Sequence, residues 1–515
     1  MRLVIFHYHF LPGGVTQVVT SSAIAALNYL PEIDGITLVS GKKDNTENVV
    51  YNIKTGLNNS VQKKSVIDYM TLPELGYISD MDRYPDTENL KKILLSQLKG
   101  DLWWIHNYHL GKNPFFTEAI LQIAEENPEQ KIVLQIHDFP EESRYSNLEA
   151  LNKYVTRPLY SVCSNVKYVT INSRDRKYLI TAGIPERMIY LLNNPVESLK
   201  NKDDTNYYTK IDKILSKSKP SYIKNAPLII YPVRTIRRKN VLEAGLLAIC
   251  STIPVNILPT LPGVSKTEMG YSKIVDSCFE DKLIPGAAQA GIVLESEGIT
   301  FANIMNAGKI IISSSVQEGF GYLFINSLQW RKPLIARDLD IVKDFKNLFS
   351  AEFSNFYKSV DIPLKEVLRK ELKIKYSEKI SGLEKFLNKK IISNLQEQKK
   401  QIINKESIDF SYLSPLMQRN FLKDLKDDGL LNETRRLNIE KLQKIEKMLS
   451  INTISFDETI IKNFSLSNHA KQIDIIISSL KNEITEPCIP KKNINHTIIS
   501  YFADFPSISL LYNPI

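Results

Sequence analysis

The residues able to do chemistry in this chain gather at four places. The densest is Ser313 to Ala336, which reads SSSVQEGFGYLFINSLQWRKPLIA. Glu318, Gly319, Phe320, Gly321 and Tyr322 make a glycine turn there, between the apolar run Lys309 to Ile312 and a helical pattern of Leu323, Phe324, Ser327 and Leu328. That helix must stop before Pro333, and Pro333 to Ala336 begins another strand. Strand, glycine turn, helix and strand form a unit whose helix N-terminus points bare N–H groups above the sheet, a setting for phosphate. Glu318, at the mouth of the same turn, repels phosphate and suits a neutral polyhydroxyl or a developing positive charge. Phosphate and sugar side by side are the chemistry of a nucleotide-sugar.

The other three places lie at strand ends. Arg234 and Lys239 stand five residues apart beyond the Leu228 to Tyr231 strand. They can clamp a diphosphate, the arginine as a bidentate fork and the lysine as a point charge. Arg237 and Arg238 between them read as a solvated loop face. Gly13 and Gly14 precede a helix that begins near Val15, and let backbone approach a ligand closely. The absence of a GxGxxG fingerprint disfavours a dinucleotide, and an ordinary strand-to-helix loop is the competing reading. Histidines follow two strands: His106 and His109 after Leu102 to Ile105, and His137 after Lys131 to Ile136. Ligands collect at the carboxyl ends of open parallel sheets, and His137 follows its strand directly. A metal held by His106, His109 and His137 is the alternative, disfavoured because no residues that would orient such ligands are visible.

The Ser313 to Ala336 stretch resembles the donor-site signature of retaining GT-B glycosyltransferases, the group that includes sucrose and trehalose synthases and many lipid-glycan mannosyltransferases. Their signature runs serine, EGFG, a second glutamate eight positions after the first, then Pro-Val/Leu-Ile. Glu318 matches the first glutamate, and Asn326 stands where the second would be. In the family the second glutamate accepts hydrogen bonds from ribose hydroxyls, so Asn326 would touch ribose with one acceptor oxygen and no charge. The Pro12 to Val15 turn is similar to the family's turn facing the donor phosphates. Arg234 and Lys239 reproduce its Arg-x4-Lys opening of the second domain, and His137 resembles its strand-end histidine. The resemblance implies an α/β fold of two facing Rossmann-like domains with the active site between them. It implies retaining transfer of a hexose from a nucleoside diphosphate sugar to an acceptor, with no metal and no cofactor. In that scheme Arg234, Lys239 and the amides of Gly319, Phe320, Gly321 and Tyr322 stabilise the leaving diphosphate. Glu318 orients the sugar and offsets its positive charge. His137 hydrogen-bonds the transferred sugar or helps activate the acceptor.

Two α/β halves are needed to position these residues. Residues 1–205 read as an N-terminal Rossmann-like acceptor-side domain and 226–350 as the nucleotide-sugar domain. Residues 351–450 read as a helical insertion and 451–515 as a closing helix and tail. In the first half Leu3 to Phe6, Gly35 to Val39, Leu102 to Ile105, Lys131 to Ile136, Lys167 to Ile171 and Ile189 to Leu192 are expected strands. Residues 41–100 read as polar and irregular, with one helix near Glu88 to Leu98. Asn193 to Glu197 closes the half, and the lysine-, serine- and asparagine-rich Ser198 to Asn225 reads as a linker. In the second half Val255 to Leu258 is a strand, and Val241 to Cys250 and Ile299 to Asn306 are helices. Further on, Leu383, Phe386, Leu387, Ile391 and Leu395, then Leu437, Ile439, Leu442, Ile445 and Leu449, recur at helical spacing. Such stripes are packed helix faces, or surfaces for peripheral membrane or partner contact. Ile461 to Leu480 resembles the helix that ends the family's second domain.

The 515 residues exceed one hydrophobic core, and 43% hydrophobic with 24% charged residues is ordinary for a soluble globular protein. No apolar run is long enough to span a bilayer and no signal-peptide pattern is visible, so a cytoplasmic location is expected. Four cysteines without CxxC pairing argue for a reducing compartment and against structural zinc. The net charge of +9 suits an anionic donor, an acidic membrane or simply a lysine-rich solvated surface. Nucleic acid is not an expected partner. Two other functions fit parts of this pattern: a GT-B nucleotide-sugar epimerase, which wants more acid/base residues, and a catalytically silent nucleotide-sugar-binding subunit, favoured by Asn326 and the helical insertion. Donor base, hexose and acceptor are not encoded in any motif.

Overall fold

Apolar runs without alternation belong in strands covered on both faces, as in parallel sheets flanked by helices. The computed structural model describes residues 1–62, 64–78, 86–196, 207–451, 458–481, 488–490 and 494–510. It divides the chain into two units, Met1–Glu197 with Thr459–Ala503, and Ser198–Glu458 with Asp504–Ile515. Each is α/β with a parallel sheet, the two-Rossmann-like-unit class expected from the sequence.

The first unit contains β1 (Arg2–His7), β2 (Gly35–Ser40), β3 (Val66–Thr71), β4 (Leu102–His106), β5 (Lys131–Ile136), β6 (Ser161–Val162), β7 (Val166–Thr170) and β8 (Ile189–Leu191). Seven of these form one parallel sheet in the order β3-β2-β1-β4-β5-β7-β8. The order reverses between β1 and β4, the point where open α/β sheets leave a crevice at their carboxyl ends. Residues 41–100 hold more structure than their polarity suggested. A helix, Thr46–Gly56, buries Val49, Val50 and Ile53, and β3 forms the sheet edge. Both escaped the sequence reading because their apolar sides are narrow; only Ile67 of β3 is fully buried.

The second unit contains β9 (Leu228–Arg234), β10 (Asn256–Leu261), β11 (Ile310–Ser313), β12 (Leu334–Arg337) and β13 (Ser354–Tyr357), in the parallel order β10-β9-β11-β12-β13. Here the reversal falls between β9 and β11. Residues 207–225, expected as linker, carry the helix Tyr208–Ser218 with Ile211 and Leu215 buried. Glu197 and the rest of the expected linker, 198–206, lie outside the described residues. The expected insertion supplies the edge strand β13 and the antiparallel pair β14 (Asp361–Pro363) and β15 (Ser407–Asp409). The two apolar stripes there are packed faces: Leu383, Leu387, Ile391, Leu395, Leu442, Ile445 and Leu449 are buried, while Ile439 stays exposed. Those buried stripes are therefore not surfaces for membrane or partner contact.

Two C-terminal pieces belong to the first unit. The helix Leu466–Lys481, read from sequence as closing the second domain, instead adds Ala470, Ile473, Ile476, Ile477 and Leu480 to the core of the first, beside Val19, Ala23 and Leu27. β16 (Ile489–Pro490) pairs antiparallel with β6. That pairing corrects the cysteine reading. Cys163 and Cys488 form a disulfide with Cα atoms 4.2 Å apart, although 325 residues separate them. Cys250 and Cys278 are free and buried. Among the described residues no helix is long and apolar enough to cross a membrane.

Candidate active site

Because β9 and β11 are neighbours, the loops leaving their carboxyl ends lie side by side. Backbone and hydroxyl bonds sew them together. The Val316 N–H donates to the Arg238 carbonyl at 2.9 Å, and Ser314 Oγ donates to the Asn240 carbonyl at 2.9 Å. The Tyr231 hydroxyl donates to the Lys239 carbonyl at 2.7 Å and lies 3.0 Å from Ser315 Oγ. This places the Lys239 ammonium on Glu318 Oε1 across 79 residues of sequence. Arg238 Nη1 lies 3.3 Å from Glu318 Oε2 and donates to the Gln317 carbonyl at 3.2 Å. Glu318 is 9% exposed. Burial raises its pKa, but Lys239 and Arg238 together outweigh burial and hold the carboxyl below its ordinary range. Burial lowers Lys239 to about 8 against the pull of Glu318, and Arg238 adds repulsion.

The two expected clamp residues have different surroundings. Arg234 is exposed, with Nη1 3.5 Å from Glu268 Oε1, and it is Arg238 that stands with Lys239 at the carboxylate. Nor does Arg237 face solvent. It donates to the Ser411 and Leu413 carbonyls at 3.1 and 3.0 Å, and its guanidinium lies 5.9 Å from the Tyr271 ring centre. Arg237–Lys239 is one turn of 3-10 helix, whose three residues per turn point three ways. Sequence reasoning missed Arg238, Tyr231 and Ser315; a run of cations carries no sign of which one turns inward.

The glycine turn anchors itself by Phe320, which is buried with ring centres 5.1 Å from Tyr322 and 6.0 Å from Phe345. Only the backbone of Phe320 can then face a ligand. Gly319 is half-buried, and Gly321 has φ +89°, where a Cβ would fall 2.5 Å from Phe324 Cδ2. Tyr322 begins the helix Tyr322–Gln329, and Asn326 lies one turn along it, half-buried.

Beneath the Lys239 loop runs a buried charged network. Asn240, left-handed at φ 50°, donates from Nδ2 to Glu243 Oε2 at 2.8 Å and accepts at Oδ1 from Gln418 Nε2 at 3.0 Å. Arg337 donates to Glu243 Oε1 at 2.8 Å and to Asp409 Oδ1 at 2.6 Å, and the Tyr357 hydroxyl donates to Glu243 Oε1 at 2.9 Å. Buried charges are tolerated only when paired and hydrogen-bonded in this way. Asp409, Ser411, Leu413 and Gln418 all come from the expected insertion, so that segment holds the Lys239 loop in place.

In the first unit β1, β4 and β5 lead into His7, His106 and His137. His106 Nδ1 and His137 Nε2 are 2.8 Å apart, with rings stacked at 5.1 Å. The His137 N–H donates to Asn107 Oδ1 at 2.8 Å. Burial lowers His137 to about 4 and His7 to about 3, and His106 also falls well below its ordinary value, so all three are neutral near pH 7. His109 is held apart among Tyr108, Phe139 and Tyr160, at ring distances of 4.7, 5.9 and 5.5 Å. The three-histidine site is thus not assembled, and among the described residues no group of three His, Cys, Asp or Glu is arranged to hold a metal. Gly13 is extended, and a Cβ on Gly14 would meet nothing within 4 Å, so the fold itself does not require glycine at either place. A hollow lined by Met1, Asp101, Lys131 and Lys481 lies at the amino-terminal edge of this sheet, away from all these residues.

No family model matches the chain. It is 32% identical over 531 aligned positions to the mannosylglucosyl-3-phosphoglycerate synthase of Petrotoga mobilis, covering 99% of each chain. Among solved structures it is similar to Anabaena HepE in complex with UDP and glucose (12% identity, 93% and 99% of the two chains, TM-score 0.46). It is also similar to the lipopolysaccharide outer core galactosyltransferase WaaB (11%, 93% and 99%, TM-score 0.47) and to a sucrose-phosphate synthase from Thermosynechococcus elongatus (12%, 93% and 99%, TM-score 0.47). These structural likenesses are too distant to bear on the chemistry.

Proposed function

The chain belongs to the same glycosyltransferase family as mannosylglucosyl-3-phosphoglycerate synthase, a family of hexosyltransferases, and from that premise we propose its reaction. It transfers a mannosyl group from a nucleoside diphosphate sugar to a glucosyl-3-phosphoglycerate, with retention at the anomeric carbon and without a metal ion. The observation that carries this reading is the cluster of buried Glu318 with half-buried Lys239 and Arg238 at the reversal of the second sheet, ahead of a helix N-terminus.

The chemistry follows from that cluster. Breaking the anomeric C–O bond leaves negative charge on the diphosphate and positive charge on the sugar. Lys239, Arg238 and the backbone of the Gly319–Tyr322 turn offset the first, preorganised before the donor arrives. Lys239 is paired with Glu318. An incoming diphosphate competes for that ammonium and frees Glu318 to bind sugar hydroxyls and balance the second charge. Arg234, exposed at the end of β9, adds charge for the outer phosphate. Asn326 receives ribose, and Gly13 and Gly14 let backbone approach a phosphate. A group with pKa near 4 is a weak base at neutral pH, so His137 serves as a hydrogen-bond partner for a sugar hydroxyl rather than as general base. Two cations and a helix dipole supply the electrostatics that a divalent ion would otherwise supply. The reading includes a cytoplasmic location, against which the Cys163–Cys488 bond counts; a pair that is oxidised in cells overturns it, because thiols stay reduced there.

The test is transfer by purified protein from nucleoside diphosphate mannose to glucosyl-3-phosphoglycerate, with the product anomer assigned by NMR and a parallel EDTA arm. Transfer that survives EDTA and disappears in Glu318→Ala is expected. No transfer by the wild type, or full transfer by the variant, sinks the reading. Loss on chelation that added metal restores would remove its metal-free part.

A further inference from the structure

The carboxyl-end face of the first sheet carries a second charged group that donor chemistry does not use. Lys112 follows β4, and its ammonium lies 5.6 Å from the Tyr77 ring centre. Backbone bonds fix Tyr77 there. The Ile78 N–H donates to the Lys112 carbonyl at 3.1 Å, and Asn113 Nδ2 donates to the Glu74 and Gly76 carbonyls at 2.7 and 3.0 Å. Gly76 is itself pressed against Gly41 beyond β2, where a Cβ would fall 2.1 Å from the Gly76 nitrogen. The Tyr77 hydroxyl lies 3.2 Å from His9 Nε2. Arg144 completes the group. Its side chain is 13% exposed, with Nη1 donating to the Phe139 carbonyl at 2.8 Å and Nη2 3.2 Å from Asp138 Oδ1.

Arg144 is matched by Asp138; among the described residues Lys112 is not so matched. It is half-buried, and among the described residues no carboxylate is paired with its ammonium. Burial, then the nearby Arg144, lower its pKa. A half-buried ammonium with no carboxylate partner among the described residues, and repelled by a guanidinium, is an arrangement that an anionic ligand relieves. The aromatic face of Tyr77 holds the cation meanwhile. Phosphate and carboxylate oxygens both fit a point charge beside a phenol whose O–H can donate; His9, with Nδ1 accepting from the Leu11 N–H at 3.3 Å, turns Nε2 to that hydroxyl and positions it. Asp138 directly follows His137, so this group adjoins the histidine assigned above to a sugar hydroxyl.

We infer that Lys112, with Tyr77, His9 and Arg144, holds the anionic phosphoglycerate end of the acceptor; the inference rests on the acceptor reading above. Its test is calorimetric titration of the full chain with 3-phosphoglycerate, together with KM values for acceptor and donor, in wild type, Lys112→Met and Lys112→Arg. Lys112→Met should weaken 3-phosphoglycerate binding and raise acceptor KM by tenfold or more. Donor KM should be unchanged, and Lys112→Arg should keep most of the affinity. Should Lys112→Met fold poorly, protection of wild-type Lys112 from acetylation by added 3-phosphoglycerate reads the same contact by mass spectrometry. Equal binding by wild type and Lys112→Met, or no binding by wild type, overturns the site. If wild type binds 3-phosphoglycerate through Lys112 yet transfers no sugar to its glucoside, the site stands and the proposed reaction falls. If transfer occurs and Lys112→Met leaves acceptor KM untouched, the reaction stands and the site falls.

Discussion

Lys239 and Glu318 each satisfy the other's charge, so in the proposed reaction donor binding exchanges one ion pair for another. Such an exchange has a pH signature. The cationic form of Lys239 predominates below about 8 and is lost above it, so kcat/KM for the donor should fall as pH rises through that value. Arginine cannot lose its proton there, and Lys239→Arg should lose the alkaline limb even if its activity is lower. A flat profile, or a limb that Lys239→Arg leaves in place, removes Lys239 from the site. Full truncation, Lys239→Ala, should cost about 2–4 kcal/mol of transition-state stabilisation, by analogy with lost oxyanion donors. Glu318 and Asn326 should fail differently. In the proposed reaction Glu318 answers charge that appears during transfer, so Glu318→Gln should lower kcat with little change in donor affinity. Ribose does not change in the reaction, so Asn326→Ala should raise donor KM and leave kcat nearly intact. Reversed effects would show that the motif is misaligned on this chain.

Two elements decide whether those side chains meet a donor: the turn into the Tyr322–Gln329 helix and the loop beneath Lys239. The turn depends on Gly321, whose positive φ puts any Cβ into Phe324. Left-handed backbone costs a non-glycine residue about 1–2 kcal/mol, and the clash adds to that. Gly321→Ala should therefore lower Tm and weaken donor binding together, because the same turn carries the amides and starts the helix. Unchanged donor affinity in a destabilised Gly321→Ala would separate the turn from the ligand. The Lys239 loop depends on residues far along the chain. Gln418, Asp409 and the Ser411 and Leu413 carbonyls reach Asn240, Arg337 and Arg237. The segment 351–450 is thus a structural support of the second unit.

At the scale of the molecule the chain passes between its two units three times, ending the first unit with residues up to Ala503. Its last pieces there are tied by the Cys163–Cys488 bond, the β6–β16 pairing and the stacking of Tyr501 on Tyr178 at 4.6 Å. A native disulfide commonly contributes about 2–4 kcal/mol. Cys163→Ser should therefore speed hydrogen exchange in the Ile494–Phe502 helix while leaving β1, β2 and β4 protected. Equal exchange in variant and oxidised wild type would show that packing alone holds this segment.

The sequence by itself determined what is local. A strand, a glycine turn and a helix within two dozen residues announce themselves, because hydrogen bonding and φ/ψ preference inside such a unit depend little on the rest of the chain. The glycine turn at Glu318, the strand before His137 and the Val241–Cys250 helix were legible for that reason, while β9 runs on past Tyr231 to Arg234. The narrow-sided Thr46–Gly56 helix and β3 were not, since few of their residues reach the core. Tertiary structure alone decided which distant groups meet. Lys239 touches Glu318 because β9 lies beside β11, and strand order is written in no residue of either loop. Arg238 rather than Arg234 joins them because a 3-10 turn sends adjacent cations in different directions. Lys112 over Tyr77 and Cys163 on Cys488 have the same origin: contacts between segments far apart in the chain are set by packing.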